Sequence, residues 1–107
     1  DRRLVIAFQP HRYTRTKDLF EDFVGVLCKA DMVVLFEVYG AGEDSIAGAD
    51  SRALARSLRN RGKIDPVFRE DCLSLDIALT DVVKNDDVVA ILGAGSIGRL
   101  VEKLVAV

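Results

Sequence analysis

The chain has 107 residues, of which 50% are hydrophobic and 30% charged, and its formal net charge at neutral pH is −2. These proportions fit one globular domain with its own core, and the slight negative charge argues against a nucleic-acid or anionic-membrane surface. No apolar run approaches the roughly 20 residues that a membrane-spanning helix needs. Cys28 and Cys72 lack metal-ligand spacing, so we expect reduced thiols in a cytoplasmic protein.

The first strand-to-helix turn carries the chain's most informative side chains. Residues 4–8 are apolar and partly β-branched, which predicts a buried strand, and the apolar residues at 19, 20, 23, 24 and 27 predict one face of a helix. Arg12 and Arg15 lie between them, three positions apart, on one side of a starting helical turn. Two guanidinium groups so placed can hold a carboxylate or phosphate bidentately.

The alternative is that both arginines are solvated residues at the start of a helix. Basic side chains there oppose the helix dipole, so they add nothing to stability, and this favours an anion site. His11, the only histidine, is open to two interpretations: a member of that site or a hydrogen-bonded turn residue. Pro10 restricts Gln9 to extended conformations and ends the strand.

The rest of the chain alternates between strand and helix patterns. Residues 32–38, 67–68 and 88–92 predict strands, 39–49 a long loop, and 84–87 a turn. Asp50 or Ser51 should cap a helix that buries Leu54 and Leu58 and ends at Gly62. Further helices should bury residues 75, 79 and 82, and residues 100, 101 and 104. The arginines of the third helical region, at 52, 56, 59 and 61, are interpreted as its solvated side.

This alternation predicts a Rossmann-like α/β domain of three layers, with a mostly parallel sheet and helices on both faces. In such a sheet the carboxyl ends of all strands share one edge, called here the carboxyl edge. The turn at 11–15, the loop at 39–49, Glu70, Asp71 and the glycine turn at 93–98 should meet there, and we expect function at this edge. Glu70 and Asp71 are candidate general bases, although helix capping is the more ordinary role of acidic residues at such a position.

The glycine turn Gly93-x-Gly95-x-x-Gly98 matches the dinucleotide-binding fingerprint locally. The full fingerprint also needs a further strand and an acidic residue about 20 positions on. We therefore interpret the glycines as turn and packing residues, in a turn whose backbone could contact a phosphate-bearing ligand. A stand-alone dinucleotide-binding regulatory module remains the alternative function, and a scaffold piece without a ligand is a third.

Five segments in this order resemble a known family, the Mur ligases of peptidoglycan synthesis. They are residues 8–16 (FQPHRYTRT), 38–43 (VYGAGE), 48–52 (GADSR), 61–66 (RGKIDP) and 93–98 (GAGSIG). The resemblance covers essentially the whole chain, and its first segment is the most specific. Within the family, the first turn and the glycine turn are similar to those of the ligases that join L-alanine to UDP-N-acetylmuramate.

The resemblance implies an ATP-dependent carboxylate–amine ligase of three domains, acting in the cytoplasm in the synthesis of the cell wall that supports cell shape and division. Residues 1–107 would form the single C-terminal domain, truncated at its N-terminus, which closes over the other two domains of the same chain. ATP and Mg²⁺, bound mainly by the central domain, would convert the muramyl carboxylate to an acyl phosphate that the amine of L-alanine attacks.

The resemblance also implies roles for individual residues. Arg12 and Arg15, with His11 beside them, would bind the carboxylate of L-alanine. Apart from the resemblance, the shared carboxyl edge makes Tyr39, Glu43, Gly93 and Gly95 candidates for further contacts. No catalytic residue and no metal ligand is expected within residues 1–107, so the fragment alone should be inactive.

Three departures from the family pattern stand out. Glu37 replaces the more usual Asp, residues 43–47 lack the usual prolines, and Ser96 replaces a common Asn. None of these changes falls on Arg12 or Arg15. The family's first strand of this domain, with an Asp-Tyr-Gly-His-His-Pro-like motif, would precede Asp1, and we therefore expect the sheet to lack a strand.

Overall fold

The computed structural model describes residues 2–62, 64–71 and 75–93. Strands and helices alternate along these residues as the sequence predicts. The strands are β1 (Leu4–Gln9), β2 (Met32–Phe36), β3 (Val67–Arg69) and β4 (Val88–Gly93), and the helices are α1 (Tyr13–Asp18), α2 (Phe20–Leu27), α3 (Ser51–Asn60) and α4 (Leu75–Val82). The helix predicted around Leu100 and most of the glycine turn lie outside the described residues.

The four strands form one sheet in the order β3-β2-β1-β4, and every neighbouring pair is parallel. β1 is central: its Phe8 is level with Leu35 of β2 on one side and with Leu92 of β4 on the other. The strand order reverses between β1 and β4. In open α/β sheets, the crevice beyond the carboxyl ends of two such strands is the usual place for a ligand.

Two separate apolar cores cover the two faces of the sheet. On one face, Ile6 and Leu35 pack with Leu27 of α2 and with Leu54 and Leu58 of α3. On the other face, Ala7, Val34 and Phe36 pack with Leu75 and Ala78 of α4. This arrangement confirms the predicted three-layer, Rossmann-like α/β fold and explains why β1 and β2 read as nearly continuous apolar sequence.

Two predicted elements differ in detail. The apolar face predicted from Leu19 onward starts one residue later, because Leu19 interrupts the helix with φ −108° and is 39% exposed. β2 ends at Phe36 rather than Val38, since the carboxylate of Glu37 accepts the Val38 N–H at 2.9 Å. Among the described residues, no helix has the length and apolarity to cross a membrane.

A buried hydroxyl fixes the start of α3 against the end of β2. The Ser51 Oγ donates to the Phe36 carbonyl, and Ser51 is fully buried. The Ser51 N–H donates to Glu37 Oε1 at 3.3 Å, while Asp50 caps the helix by accepting the Ala53 N–H at 2.9 Å. The loop at 39–49 is therefore anchored at both of its ends.

We predict that Ser51→Ala destabilises the fold by about 1–3 kcal/mol, because it leaves the buried Phe36 carbonyl without its donor. Ser57→Ala on the same helix is the matched control and should change stability by less than about 0.5 kcal/mol. Urea unfolding followed by circular dichroism measures both. Equal losses in the two variants would contradict the assigned role of the Ser51 hydroxyl.

A second anchor ties the start of β1 to the turn before β4. Arg3 Nη2 contacts Asp87 Oδ2 at 2.8 Å and also donates to the Val82 carbonyl, and the Asp87 side chain is only 4% exposed. Asp87 also accepts the Lys84 N–H at 2.7 Å. The bonds from Arg3 and from this N–H hold the pKa of Asp87 below its ordinary value of 3.8.

This lowered pKa makes stability depend on pH. The contribution of Asp87 is fully present above its unfolded pKa and is lost as the pH falls through the lower folded value. We predict that Asp87→Asn lowers the melting temperature at neutral pH and that its difference from the wild type narrows progressively as the pH falls below about 5 and through the folded pKa of Asp87. Asp86→Asn is the control. A constant difference across this range would contradict the prediction.

Candidate functional site

Pairing between β1 and β2 continues past the ends of both strands. The Arg12 N–H donates to the Tyr39 carbonyl at 2.7 Å, and the Tyr39 N–H donates to the Pro10 carbonyl at 2.9 Å. Between these bonds, His11 and Tyr39 form a parallel bridge, and their rings stack 5.5 Å apart at 10°. The turn after β1 is therefore fixed to the beginning of the loop at 39–49.

This pairing holds Arg12 in a backbone conformation that side chains disfavour. Arg12 has φ 70° and ψ 137°, a region in which glycine is strongly preferred. Its carbonyl accepts both the N–H and the Oγ1 of Thr16, at 3.1 and 2.8 Å, and Thr16 is fully buried. Strained residues of this kind concentrate at functional sites. Arginine at a position suited to glycine points to a use for its side chain.

Arg12 and Arg15 line the same open depression, whose volume is about 370 Å³ and whose other walls are Thr14, Asp18 and Leu19. The Arg12 side chain is half exposed. Both arginines are exposed and border the same surface depression at the carboxyl edge, where two guanidinium groups could bind a small anion.

Arg15 also borders a second cavity, of about 260 Å³, at the crevice where the strand order reverses. Its lining comes from the ends of β1 and β4 and from the two helices that follow β1: Phe8, Gln9, His11, Arg15, Leu19, Phe23 and Gly93. The exposed walls are mainly apolar, and Gln9, His11 and Arg15 are the polar residues among those that line it. Arg15 therefore lies between an open basic depression and an apolar crevice.

The first turn of α1 is occupied by a carboxylate of the chain itself. Glu43 Oε1 accepts the Thr14 N–H at 3.1 Å, and Glu43 Oε2 accepts the Thr14 hydroxyl at 2.8 Å. These two bonds, with a smaller effect of Arg12, hold the pKa of Glu43 below its ordinary value. The Thr14 N–H at this helix start is therefore taken by the chain itself and is not open to a ligand. The guanidinium groups are left as the anion-binding elements.

Comparison with known proteins finds relatives of high sequence identity. No protein-family model matches the chain. The chain is 59% identical over 104 residues to a UDP-N-acetylmuramate–L-alanine ligase of Methylococcus capsulatus, 60% over 100 residues to that of Bordetella petrii, and 55% over 106 residues to that of Chromobacterium violaceum. These alignments cover 97%, 94% and 99% of the chain. The chain is homologous to a segment of these ligases.

The matched segment is a minor part of each relative. The chain spans 22%, 21% and 23% of the length of the three ligases. Each alignment extends over nearly all of this chain, so the aligned part includes the turn after β1 and the loop at 39–49. The resemblance predicted from the sequence motifs is thereby confirmed.

The structure brings most of the predicted site residues together. His11, Arg15 and Gly93 line the crevice, while Tyr39 stacks on His11, and Glu43 lies beside Arg12 with 3.9 Å between Oε2 and Nη1. Gly95 lies outside the described residues, as does the rest of the glycine turn.

Glu70, the residue after β3, forms its ion pair outside this cluster. Glu70 is exposed and pairs with Arg52 at 3.5 Å, and Arg52 also lies over the Phe68 ring at 4.6 Å. An exposed ion pair of this kind is ordinary on protein surfaces. It gives no support to the prediction that Glu70 acts as a general base. Among residues 2–62, 64–71 and 75–93, no group of three or more His, Cys, Asp or Glu side chains could hold a metal ion.

Sequence reasoning missed two residues of the site, Thr14 and Thr16. Thr14 links Glu43 to α1, and Thr16 holds the carbonyl of Arg12. A threonine four residues after Arg12 is a detectable signal, because threonine hydroxyls often donate to the carbonyl four positions earlier. The partner of Thr14 is 29 residues away and has no local signal.

Strain at Arg12 makes an unusual mutational prediction. Arg12→Gly and Arg12→Ala both remove the guanidinium group, but only glycine relieves the positive φ. We predict that the glycine variant is more stable than the alanine variant by about 1 kcal/mol, as measured by urea unfolding. An alanine variant that equals or exceeds the glycine variant in stability would contradict the strained conformation.

Proposed function

We propose that this chain is the C-terminal, amino-acid-binding domain of a UDP-N-acetylmuramate–L-alanine ligase, and that it closes over the other domains during the reaction. Two findings support the proposal. The relatives bear that name and match nearly the whole chain. The domain also has its basic depression at the carboxyl edge, beside the crevice where the strand order reverses.

The observation that carries the proposal is the pair of arginines on one surface, with Arg12 held in a strained backbone conformation. In this proposal, Arg12 and Arg15 bind the carboxylate of L-alanine, and His11 borders the same place. Binding through two planar guanidinium groups fixes both the position and the orientation of the amino acid. Orientation of this kind lowers the barrier by far more than the ion pairs contribute to affinity.

ATP and Mg²⁺ are proposed as cofactors of the full-length enzyme, where ATP supplies the phosphoryl group that activates the muramyl carboxylate as an acyl phosphate. The described residues contain no metal-binding cluster, and we assign them no part in holding Mg²⁺. Their contribution is to present the amine of L-alanine to the activated carboxylate. We propose that UDP-N-acetylmuramate and ATP are bound mainly by other domains and that this chain is inactive alone.

We predict that Arg15→Ala, in the full-length ligase that carries this chain, lowers kcat/KM for L-alanine roughly 10- to 100-fold, because a charge-assisted contact to the carboxylate is lost. The KM for ATP should stay near its wild-type value. Steady-state kinetics with each substrate varied in turn measures both effects.

Lys17→Ala is the matched control, since Lys17 is an exposed cation on the same helix that lines neither the depression nor the crevice. It should leave the KM for L-alanine unchanged. If Arg15→Ala and Lys17→Ala had the same effect on that KM, the assignment of the amino-acid carboxylate to this surface would be wrong.

A further inference from the structure

The loop at 39–49 turns back sharply at Gly40–Glu43 to reach α1. The Glu43 N–H donates to the Gly40 carbonyl at 3.0 Å, and the two residues between them, Ala41 and Gly42, have φ 52° and 92°. Successive positive φ angles reverse the chain direction within a few residues. This turn aims the Glu43 side chain at the beginning of α1, the helix that carries Arg15.

Two independent contacts hold the loop against that helix. The Glu43 carboxylate accepts hydrogen bonds from the N–H and the hydroxyl of Thr14, as described above. In addition, Gly40 lies so close to Tyr13 that a Cβ there would come within 3.1 Å of the tyrosine Cε2. The residues that receive these contacts, Tyr13 and Thr14, lie between Arg12 and Arg15 in the chain.

From its charge alone, Glu43 would be expected to weaken the binding of an anionic ligand. Its carboxylate lies 3.9 Å from Arg12 Nη1, and at that distance it attracts the guanidinium group that an anionic ligand would use. If this were its main effect, Glu43 would compete with the ligand, and removing it would strengthen binding. The two hydrogen bonds with Thr14 favour a structural role in the site, because competition with the ligand would not require a carboxylate fixed to the helix.

We infer that Glu43 is a positioning residue: it fastens the loop at 39–49 to the start of α1 and so sets Arg12 and Arg15 at the spacing that one carboxylate needs. The inference deepens the proposed function and rests on it, since it concerns the same amino-acid site. Glu43 itself need not touch the substrate. The two contacts with Thr14 transmit its effect.

The decisive test is Glu43→Ala in the full-length ligase, with the KM for L-alanine and for ATP and kcat measured separately. A positioning role predicts a KM for L-alanine raised roughly 10- to 100-fold with little change in the KM for ATP. A competing role predicts a lower KM for L-alanine, and a purely structural surface role predicts no change. Either of the latter results would overturn the inference.

Coupling to the arginines gives a second readout. If Glu43 acts through them, Glu43→Ala should add little to the KM effect of Arg15→Ala in the double variant. Fully additive effects would show that Glu43 acts elsewhere. Glu43→Gln, which keeps an acceptor for Thr14, should have a KM for L-alanine between those of the wild type and the alanine variant, and it serves as the informative variant if Glu43→Ala does not fold.

The control is Glu21→Ala, which removes another carboxylate paired with an arginine, Arg61 at 3.3 Å, on the exposed surface. It should not affect the KM for L-alanine. Failure of the inference is distinguishable from failure of the proposed function. If Arg15→Ala raises the KM for L-alanine and Glu43→Ala does not, only the inference falls; if Arg15→Ala is also without effect, the amino-acid site itself is misplaced.

Discussion

The hydrogen bonds that continue β1–β2 pairing past the strand ends are the constraint on which the rest of the site depends. Because the Arg12 N–H must reach the Tyr39 carbonyl while its own carbonyl accepts from Thr16, Arg12 is left with a positive φ. That conformation directs the chain into α1 immediately after β1. The same bonds bring the loop at 39–49 beside the turn, so that residues far apart in sequence form one surface.

The packing of β1 stabilises the strained conformation of Arg12. β1 is covered by apolar residues on both faces, and its neighbours on both sides are parallel strands. A strand held in this way gives its following turn a fixed starting point, and a strained residue persists only where its surroundings determine it. The strand order then places the turn at the crevice between β1 and β4, where the chain's basic depression and its apolar cavity adjoin.

Much of the fold could be predicted from the sequence, because burying one face imposes a periodicity on each element. The apolar run of β1 and the spacing of Leu54 and Leu58 are examples. The break at Leu19 was not predictable in this way, since Leu19 has the same spacing as the residues that do face the core. The order of the strands could not be predicted either, because a crossover helix has the same apolar pattern whether the next strand is added to one edge of the sheet or to the other.

The candidate site was predictable only in part. Arg12 and Arg15 carry a local signal, namely two cations where a helix begins, and the motif around them resembles a known family. The positive φ of Arg12 and the bonds between Glu43 and Thr14 depend on contacts across the sheet edge, and residues 29 positions apart give no local pattern. The sequence therefore indicated the candidate side chains, and the tertiary structure was needed to say how they are held.

The most direct test of the proposed amino-acid site is a crystal structure of the full-length protein with L-alanine bound. We expect the carboxylate of L-alanine to lie within about 3 Å of guanidinium nitrogens of both Arg12 and Arg15, with Glu43 still bonded to Thr14. A carboxylate held by other groups, with both arginines facing solvent, would contradict it.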